Sequence, residues 1–486
     1  MILNKLVLLK FHFITSSKDP VGGYMFGIDL DRKSQVSLKR QIYQKLKDDI
    51  LSGRVASGES LPSTRELAKF LAVSRNTVCE AYEMLLAEGF VLSNQGAATR
   101  VTEGLNIPKT FTEPLNNTLK NNYNVIADFR TGQPDLRNFP MFVWNRILYA
   151  AIQEMPLVEL GYRAPEGLES LREEISSWLF RSRGIKADPQ DIFITTGATN
   201  ALHLISEMLY KEGKYILIED PCHMGMLRAL TNKGYPVSPV PVDKHGILSK
   251  HVHKKTAWGI YVTPSHQFPL GGILPAARRA ELIQYVRENE IYIIEDDYDS
   301  EFRYCGEPIA PLYSMDPQRV IYVGTFSKVI FPALRVGYVI LPHQLKRQWK
   351  HHRTHTDVQN SPYEQAALAK FLKHRKIDRH LLKMKKLYGE RRKVLLQALG
   401  ESFKDTWYSW GDATGLHIAI EFPGMCFDNE FLEKCKINGI LLKSVDYHSI
   451  NKGKHMDKLL LGYSHLEPEE IRRGVLVLYD FLKNYM

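Results

Sequence analysis

The sequence predicts two domains: a small, all-α helix-turn-helix unit with a β-wing, followed by a large α/β domain with a mainly parallel sheet. Three observations predict this arrangement. Short capped helices follow one another near the N-terminus, a polar stretch without hydrophobic periodicity comes next, and apolar strands then alternate with helical stretches. With 486 residues, the chain is long enough for two or three domains of ordinary size.

The composition excludes several classes of protein. Apolar residues make up 44% of the chain and charged residues 24%, which is ordinary for globular domains and unlike collagen or a disordered chain. No window holds the roughly 18 to 20 apolar residues that a bilayer span needs, so we expect no membrane insertion. The five cysteines are scattered and form no Cys-x-x-Cys pair, which predicts neither disulfides nor a metal site. This composition suits the reducing cytoplasm.

Residues 1–25 differ in character from the rest. The first fourteen are apolar apart from Asn4 and a few basic residues, a pattern that also occurs in secretory signal peptides. The cytosolic composition of the body argues against a signal. We expect a tail that is disordered, or an upstream extension of a native chain that begins at Met25.

The first domain, predicted at 26–101, begins with an amphipathic helix. Leu38, Ile42, Leu46 and Ile50 recur every four residues, and the helix is expected to stop at Gly53. These four side chains form one apolar stripe, so this helix packs against the helices that follow.

Two further helices have clear start signals. Ser63 and Glu66 form a capping box, and Ser74 caps a third helix that ends at Gly89. Two short capped helices separated by a tight turn are typical of a helix-turn-helix. The following segment predicts a hairpin with Gly96 at its tip.

The start of the third helix carries side chains suited to DNA. A recognition helix meets bases and phosphates with its first turn, which here holds Arg75, Asn76 and Thr77 after the capping Ser74. Arg65, at the start of the second helix, suits a phosphate contact. Ordinary solvated helix starts are the alternative, but the adjacent helices and the wing favour a DNA reader.

These residues carry a family resemblance. The segments LPSTRELA and SRNTV resemble the winged helix-turn-helix of GntR-family transcription regulators, in which the arginines matching Arg65 and Arg75 contact DNA. The wing departs from the family, because NQGAAT stands where an arginine and Gly-Ser-Gly-Thr are usual. Arg100 is the wing residue that can compensate. The resemblance implies double-stranded operator DNA as a partner.

The rest of the chain divides into a linker and a large domain. Residues 102–127 are polar and rich in asparagine, which predicts a semi-flexible linker. The large domain is predicted at 128–486, and its alternation of strands and helices predicts a sheet covered on both faces. The predicted strands are 192–195, 215–218, 259–262, 291–294, 320–323 and 337–341.

One lysine follows an apolar strand in the segment GTFSK, and LRVG comes shortly after it. Partial desolvation of Lys328 would lower its pKa and make its amine nucleophilic toward an aldehyde. The hydroxyls of Thr325 and Ser327 and the guanidinium of Arg335 suit a phosphate group. A surface lysine after a strand is the alternative.

Two more segments supply complementary groups. The strand at 291–294 runs into an acidic turn, where Asp296 could pair with a protonated pyridine nitrogen and Tyr298 with a phenolic oxygen. The segment TGATN follows another strand and begins a helix, whose free N–H groups suit an anion. A solvated acidic turn is the alternative for the first segment.

Together these segments resemble fold-type I pyridoxal 5'-phosphate enzymes, the aminotransferase fold. VTPSHQFPLGGILPAARRAELI and IEDDYDSEFRY further resemble the MocR subfamily, in which a GntR-type reader is fused to an aminotransferase-like domain. The resemblance implies that Lys328 binds the cofactor as an aldimine, with Asp296 at the pyridine nitrogen and Tyr298 at the phenolic oxygen. The implied phosphate ligands are Ala198, Thr199, Thr325, Ser327 and Arg335.

Further positions are assigned by the same resemblance. His223 stands where the family has a tyrosine that stacks on the ring. Tyr162 resembles the tyrosine that reaches the phosphate of a partner subunit, which implies a homodimer, with a domain-swapped, head-to-tail arrangement left open. In the segment KSVDY, Asp446 stands where aminotransferases carry the arginine that grips a substrate carboxylate, and Lys443 is a nearby cation that could replace it.

Together these features predict a regulator that senses an amine-type effector, or pyridoxal phosphate itself, through its aminotransferase-like domain. The alternative is an active aminotransferase with an appended reader, because the lysine, aspartate and tyrosine needed for that chemistry are present. We expect at most a weak transaminase half-reaction. A domain that has lost its cofactor and only dimerises is a third interpretation.

The net charge of +10 does not come from the reader. Residues 26–103 hold 11 basic and 10 acidic residues, whereas 343–393 hold 15 basic and 4 acidic residues. The second stretch, which includes Lys383, Lys385 and Lys386, is either a solvated face or a second contact with DNA.

Overall fold

The structure is a computed structural model that describes residues 27–94, 97–105, 124–252, 256–307, 309–411 and 414–483. The chain divides into two compact units, 1–120 and 121–486, and each is described by itself. The predicted tail, the hairpin tip at Gly96 and most of the predicted linker lie outside the described residues.

The small unit contains the three predicted helices and two short antiparallel strands. Helix α2 begins with the predicted capping box: the Glu66 N–H donates to Ser63 Oγ (3.3 Å), and the Ser63 N–H donates to Glu66 Oε2 (2.9 Å). Ala72, in the left-handed conformation, ends this helix before Ser74 caps the next. The elements are α1 (Leu38–Leu51), α2 (Thr64–Leu71), α3 (Arg75–Ala87), β1 (Val91–Leu92) and β2 (Arg100–Val101).

The large unit alternates strands and helices, as predicted. Its strands are β3 (Ala127–Asp128), β4 (Ile192–Thr195), β5 (Tyr215–Asp220), β6 (Val237–Asp243), β7 (Gly246–Ile247), β8 (Ala257–Val262), β9 (Tyr292–Asp297), β10 (Val320–Thr325), β11 (Gly337–Ile340), β12 (Tyr408–Trp410), β13 (His417–Glu421), β14 (Ile440–Leu441), β15 (Lys443–Ser444) and β16 (Lys458–Gly462). Its helices are α4 (Met141–Gln153), α5 (Glu169–Arg183), α6 (Gly197–Leu209), α7 (Met224–Thr231), α8 (Ala276–Glu288), α9 (Lys346–Thr356), α10 (Pro362–Lys373), α11 (Lys376–Phe403), α12 (Asn429–Ile437) and α13 (Pro468–Leu482).

The main sheet has eight strands in the order β4-β11-β10-β9-β8-β5-β6-β7. The central strands from β10 to β6 are mutually parallel, which confirms the mainly parallel sheet. Strand β11 is antiparallel to both of its neighbours, so the sheet is mixed. Only eleven residues join β10 to β11, too few for the helical crossover that a parallel pair requires.

Apolar side chains cover both faces of this sheet. Along β4, Ile192 and Ile194 belong to one buried cluster and Phe193 belongs to another. Successive side chains of a strand point to opposite faces, so the two clusters lie on opposite sides. Burial on both faces holds the strand ends, and therefore the residues that follow them, in fixed positions.

A smaller sheet completes the large unit. Its four strands run in the order β12-β13-β16-β15, and β14 pairs with β3 beside it. Ala127, the last residue of the predicted linker, thus begins a strand of the large unit, and the Ile126 N–H donates to the Gly439 carbonyl (2.8 Å). Among the described helices, none is long and apolar enough to cross a membrane.

Candidate cofactor cavity and DNA-reading helix

A cavity of about 320 Å³ lies at the carboxyl ends of β9 and β10 and beside the start of α6. Its size is that of a small-molecule site. It brings together ten of the residues predicted from the sequence. These are Ala198, Thr199, His223, Asp296, Tyr298, Thr325, Ser327, Lys328, Arg335 and Lys443.

One end of the cavity has the chemistry of an anion site. Helix α6 starts at Gly197, so the N–H groups of Ala198 and Thr199 lie in its first turn, where no helical carbonyl can accept from them. The Arg335 guanidinium donates from Nη2 to the Thr196 carbonyl at 2.7 Å. Gly197 has φ +80°, and a Cβ there would lie 3.1 Å from that guanidinium. Glycine therefore lets the arginine approach the helix start closely.

Two hydroxyls complete this end. Thr325 Oγ1 donates to Ser327 Oγ at 3.1 Å and accepts from the Ser327 N–H at 3.2 Å. Both residues lie where β10 passes into the loop that carries the lysine. The hydroxyls, the guanidinium and the helix start all suit the oxygens of a phosphate.

Lys328 extends into the cavity on the same loop. Its Nζ donates to the Gly132 carbonyl at 2.7 Å. Burial lowers the pKa of the ammonium, although the carboxylates of Asp299 and Asp296 partly oppose this shift. A larger share of the amine is therefore neutral and nucleophilic at a given pH. Gly132 has φ +89°, which favours glycine, and a Cβ there would lie 2.8 Å from Nζ, so another residue would displace the lysine amine from this position.

Asp296 lies within β9 and not in a turn after the strand, because β9 continues to Asp297. Its Oδ2 accepts from Tyr261 Oη at 2.8 Å, whereas its buried Oδ1 has no partner among the described residues. Burial raises the pKa of this carboxyl to about 6. A buried carboxylate oxygen without a donor matches the protonated nitrogen of a pyridine ring.

Tyr298 belongs to a chain of polar groups that the sequence did not reveal. Its Oη lies 2.9 Å from His266 Nδ1, which in turn lies 2.9 Å from Asp299 Oδ1. The histidine and the aspartate are both buried. His266 lies within the family-like segment PSHQFP, but no spacing rule links it to an aspartate 33 residues away.

Neutral aromatic rings line much of the remaining wall. Burial lowers the pKa of His223 and His417 to about 4 and that of His448 to about 3. Phe268 lies among them, with its ring centroid 4.9 to 5.6 Å from theirs. At neutral pH this wall carries no charge. His223 lines the cavity, where the resemblance places it against the cofactor ring.

The predicted effector residues are separated in the structure. Lys443 lines the cavity with its Nζ 4.1 Å from the centre of the Tyr447 ring, and Arg228 Nη2 donates to Tyr447 Oη at 3.3 Å. Asp446 does not line the cavity. Asp446 begins a short helical turn, and its Oδ1 accepts the Gly453 N–H at 2.8 Å. The carboxylate therefore holds the loop that follows this turn.

Tyr162 also lies apart from the cavity of its own chain. Its side chain is 94% exposed, between the 3₁₀ turn Leu157–Leu160 and α5. A contact between Tyr162 and a phosphate would therefore require a second chain, as the resemblance implies.

The DNA-reading candidates lie on the exposed surface of the small unit. Ser74 Oγ accepts the Thr77 N–H at 3.1 Å, so the cap fixes the first turn of α3. Arg75 Nε donates to Thr64 Oγ1 at 3.3 Å, and Asn76 donates to Glu80 Oε1 at 3.0 Å. Both side chains are exposed and attached to a rigid helix start.

Two more cations flank this helix. Arg65 is exposed in the first turn of α2. Arg100 is exposed in β2, although its Nη1 donates to the Gly58 carbonyl at 3.2 Å. Both are accessible to phosphates, Arg65 at a helix start and Arg100 at the wing.

Two known protein families match separate parts of the chain. Residues 38–101 match the family of bacterial regulatory proteins of the gntR family, and residues 129–447 match the family of class I and II aminotransferases. The probable rhizopine catabolism regulatory protein MocR of Rhizobium meliloti is 30% identical over 463 residues, covering 92% of this chain and 94% of that protein. The pyridoxine biosynthesis transcriptional regulator PdxR of Corynebacterium glutamicum is 31% identical, over 77% of this chain and 81% of its own length.

Solved structures support the fold of the large unit. The kynurenine aminotransferase of Pyrococcus horikoshii, solved with PMP, has a TM-score of 0.69 and 24% identity over 75% of this chain and 92% of its own. LysN, an α-aminoadipate aminotransferase of Thermus thermophilus complexed with N-(5'-phosphopyridoxyl)-L-leucine, has a TM-score of 0.68 and 25% identity over 74% of this chain and 92% of its own. The chain belongs to the MocR type of GntR-family transcription regulators, in which a helix-turn-helix domain is joined to an aminotransferase class I and II domain.

Proposed function

We propose that this regulator binds pyridoxal 5'-phosphate in the cavity and that the cofactor site controls operator binding by the reader. One observation carries the proposal: the nucleophilic Lys328, the unpartnered Asp296 Oδ1 and the anion site at Arg335 line a single cavity. These groups match the aldehyde, the pyridine nitrogen and the phosphate of that cofactor. When bound, pyridoxal phosphate supplies an aldehyde carbon that amines attack and a ring that withdraws electrons.

The effector is proposed to be a small amine or the cofactor itself. Besides the residues of the phosphate end, the cavity lining offers neutral histidines and Lys443, and its described residues include no arginine besides Arg335. A bidentate grip on an α-carboxylate is therefore absent from the described lining. Since Asp446 lies outside the cavity, the missing guanidinium, and not repulsion by that carboxylate, is the reason to favour a simple amine.

A second copy of the chain is the proposed partner of the large unit. The side chains of Phe142, Tyr149, Leu157, Val158 and Tyr162 are all exposed, Leu157 to 84%. Large apolar side chains that cluster on the surface mark an interface. A homodimer through this face would cover them and would bring one chain's Tyr162 near its partner.

DNA binding by the full chain tests the proposed function. The probe is a set of fragments from the region upstream of the chain's own gene, with and without pyridoxal phosphate, in a gel-shift assay. We expect a specific shift in at least one of the two states. Absence of binding in both states would refute the proposed regulatory function.

The same sample distinguishes a regulator from an enzyme. It is mixed with a panel of amine donors, and conversion of the cofactor to its pyridoxamine form is followed. A regulator is expected to give at most one slow conversion per chain. Many fast turnovers with an added keto acid would favour the aminotransferase.

A further inference from the structure

Helix α11 presents a row of cations on one side. Arg379, Lys383, Lys386 and Lys393 are separated by four, three and seven residues, which places them on a single face, together with the exposed Glu390 between the last two. All four are exposed. At a rise of 1.5 Å per residue the row is about 21 Å long. We call these four residues the α11 basic face.

The orientation of the face is fixed by packing. The other side of α11 buries Ile377, Met384, Tyr388 and Leu395 in the core of the large unit. The helix therefore cannot rotate to hide its cations. Leu382 is the one large apolar side chain that α11 exposes, so the face offers little to a membrane surface, where amphipathic helices bury several apolar residues.

The cations of this face lack acidic partners. None of the four has a carboxylate within salt-bridge distance among the described residues, although the basic stretch as a whole contains many pairs. Lys346, for example, pairs with Asp191, and Lys370 pairs with Glu154. Salt bridges thus neutralise some cations of residues 343–393 in other helices. The four cations of the α11 basic face form no salt bridge among the described residues.

The beginning of α11 adds a concave basic surface. A cavity of about 360 Å³ is lined in part by Arg181, Arg303, Arg375 and Lys385. Two carboxyl groups also line it: Asp378, which lies 3.8 Å from Arg181 and 3.5 Å from Arg375, and Glu301, whose pKa is raised by burial. The four cations outnumber these two carboxyl groups.

We propose that the α11 basic face binds the phosphates of duplex DNA that flanks the reader's site. The proposal rests on the proposed function. A reader with a net charge of +1 has little long-range attraction for DNA, whereas phosphate contacts supply most sequence-independent affinity. With four cations and one carboxylate, that of Glu390, the face has a net charge of +3, which suits the regular negative charge of a duplex backbone.

A charge-removal experiment on the full chain with pyridoxal phosphate tests this proposal. The variant R379Q/K383Q/K386Q keeps good helix formers on α11. The control K211Q/K244Q/K250Q removes three exposed lysines from elsewhere on the large unit, which likewise have no salt bridge among the described residues. Affinity is measured by fluorescence anisotropy over a range of salt concentrations. A footprint of the wild type first defines the bound site. The short duplex spans only that site, and the long duplex extends it by several helical turns on both sides.

On the long duplex, we expect the α11 variant to bind at least tenfold more weakly at low salt. The slope of log affinity against log salt should fall by about 0.9 for each lost contact, so by roughly two to three. On the short duplex, the α11 variant should match the wild type, and the control should match it on both.

Three outcomes would overturn the proposed face. They are an unchanged slope on the long duplex, an equal loss on the short duplex, and an equal loss in the control variant. Failure of the wild type to bind either duplex is a different result, because it contradicts the regulator function on which the face depends.

Discussion

At the scale of single residues, burial acts in opposite directions on the two main groups of the cavity. It lowers the pKa of Lys328 and so favours the neutral amine, and it raises the pKa of Asp296 to about 6 and so disfavours the carboxylate. The lysine gains nucleophilicity from this environment. The carboxylate loses stability in it until a cation faces its free oxygen, which a protonated pyridine nitrogen would do.

This cost of burying Asp296 should be measurable without cofactor. The pKa of Asp296 is about 6 in the folded protein and has the ordinary value of 3.8 in the unfolded chain. Between these two pH values the carboxyl is mostly protonated in the folded protein and mostly ionised in the unfolded chain. Stability therefore falls as pH rises from about 4 to 6, by up to about 3 kcal/mol from this group. Relative to Asp296→Asn, the wild type should become progressively less stable over that range.

Urea unfolding of both apo proteins at a series of pH values checks this prediction. Other titrating groups are common to the two proteins and cancel in the difference. Parallel stability curves would show that Asp296 ionises without a cost in the folded state.

Replacing Lys328 should abolish covalent attachment of the cofactor. Pyridoxal phosphate added to the wild type should produce the yellow absorbance of a lysine-bound cofactor, and Lys328→Ala should not. Lys443→Gln, at the other lysine of the cavity, should retain the band. A yellow Lys328→Ala protein would assign the attachment to another amine.

The sequence could place Lys328, Asp296 and Arg335 in one candidate site, because each belongs to a short motif at or after an apolar strand. It could not identify Gly132 or His266, because their roles depend on contacts between distant segments. Asp446 shows a further limit. A shift of a few residues in the alignment changes which side chain is assigned to the cavity. Only the fold shows that Asp446 holds a loop instead.

At the scale of secondary structure, two helix starts carry candidate binding residues, one for an anion and one for DNA. The first turn of a helix has N–H groups that no helical carbonyl accepts. In α6 these groups face the anion end of the cavity, and in α3 the Ser74 side chain accepts one of them and fixes the turn. Caps are encoded by local residues, so Ser63 and Ser74 could be predicted from the sequence. Strand β6 could not, because Pro239 and Pro241 are unfavourable in strands.

The first turn of α3 should carry the affinity for the operator. Arg75→Ala removes an exposed guanidinium without touching the core, so the reader should remain folded while DNA binding weakens about tenfold or more, as expected for a lost base contact. Lys33→Ala, at an exposed lysine before α1, should bind like the wild type. Circular dichroism checks folding and anisotropy checks affinity. Equal affinities of all three proteins would exclude α3 as the reading element.

At the scale of the whole molecule, charge and apolar surface are segregated. The reader is close to neutral, the stretch 343–393 holds the surplus of positive charge and exposes four of its cations on α11, and large apolar side chains are exposed around α4 and the turn after it. The sequence locates the basic stretch, but it does not reveal which of these cations and which apolar side chains share an exposed face, because that depends on which side chains the folded elements leave uncovered.

The exposed apolar surface should be the dimer interface. Wild-type protein is expected to have twice the chain mass of 55.8 kDa by light scattering, and Phe142→Lys/Leu157→Lys should have the mass of one chain, because buried charges oppose association. Leu476→Lys, at an exposed leucine on α13, should remain dimeric. A dimeric double variant, or a monomeric wild type, would contradict this interface.

The central claim is that the cofactor cavity and the reader are energetically coupled. The direct measurement is operator affinity for wild type and Lys328→Ala in three states: without cofactor, with pyridoxal phosphate, and with pyridoxal phosphate plus small primary amines. A coupling of about 1 to 3 kcal/mol predicts that the wild-type affinity changes by roughly 5- to 150-fold between two of these states, while the variant does not respond. A wild type with the same affinity in all three states would contradict the account.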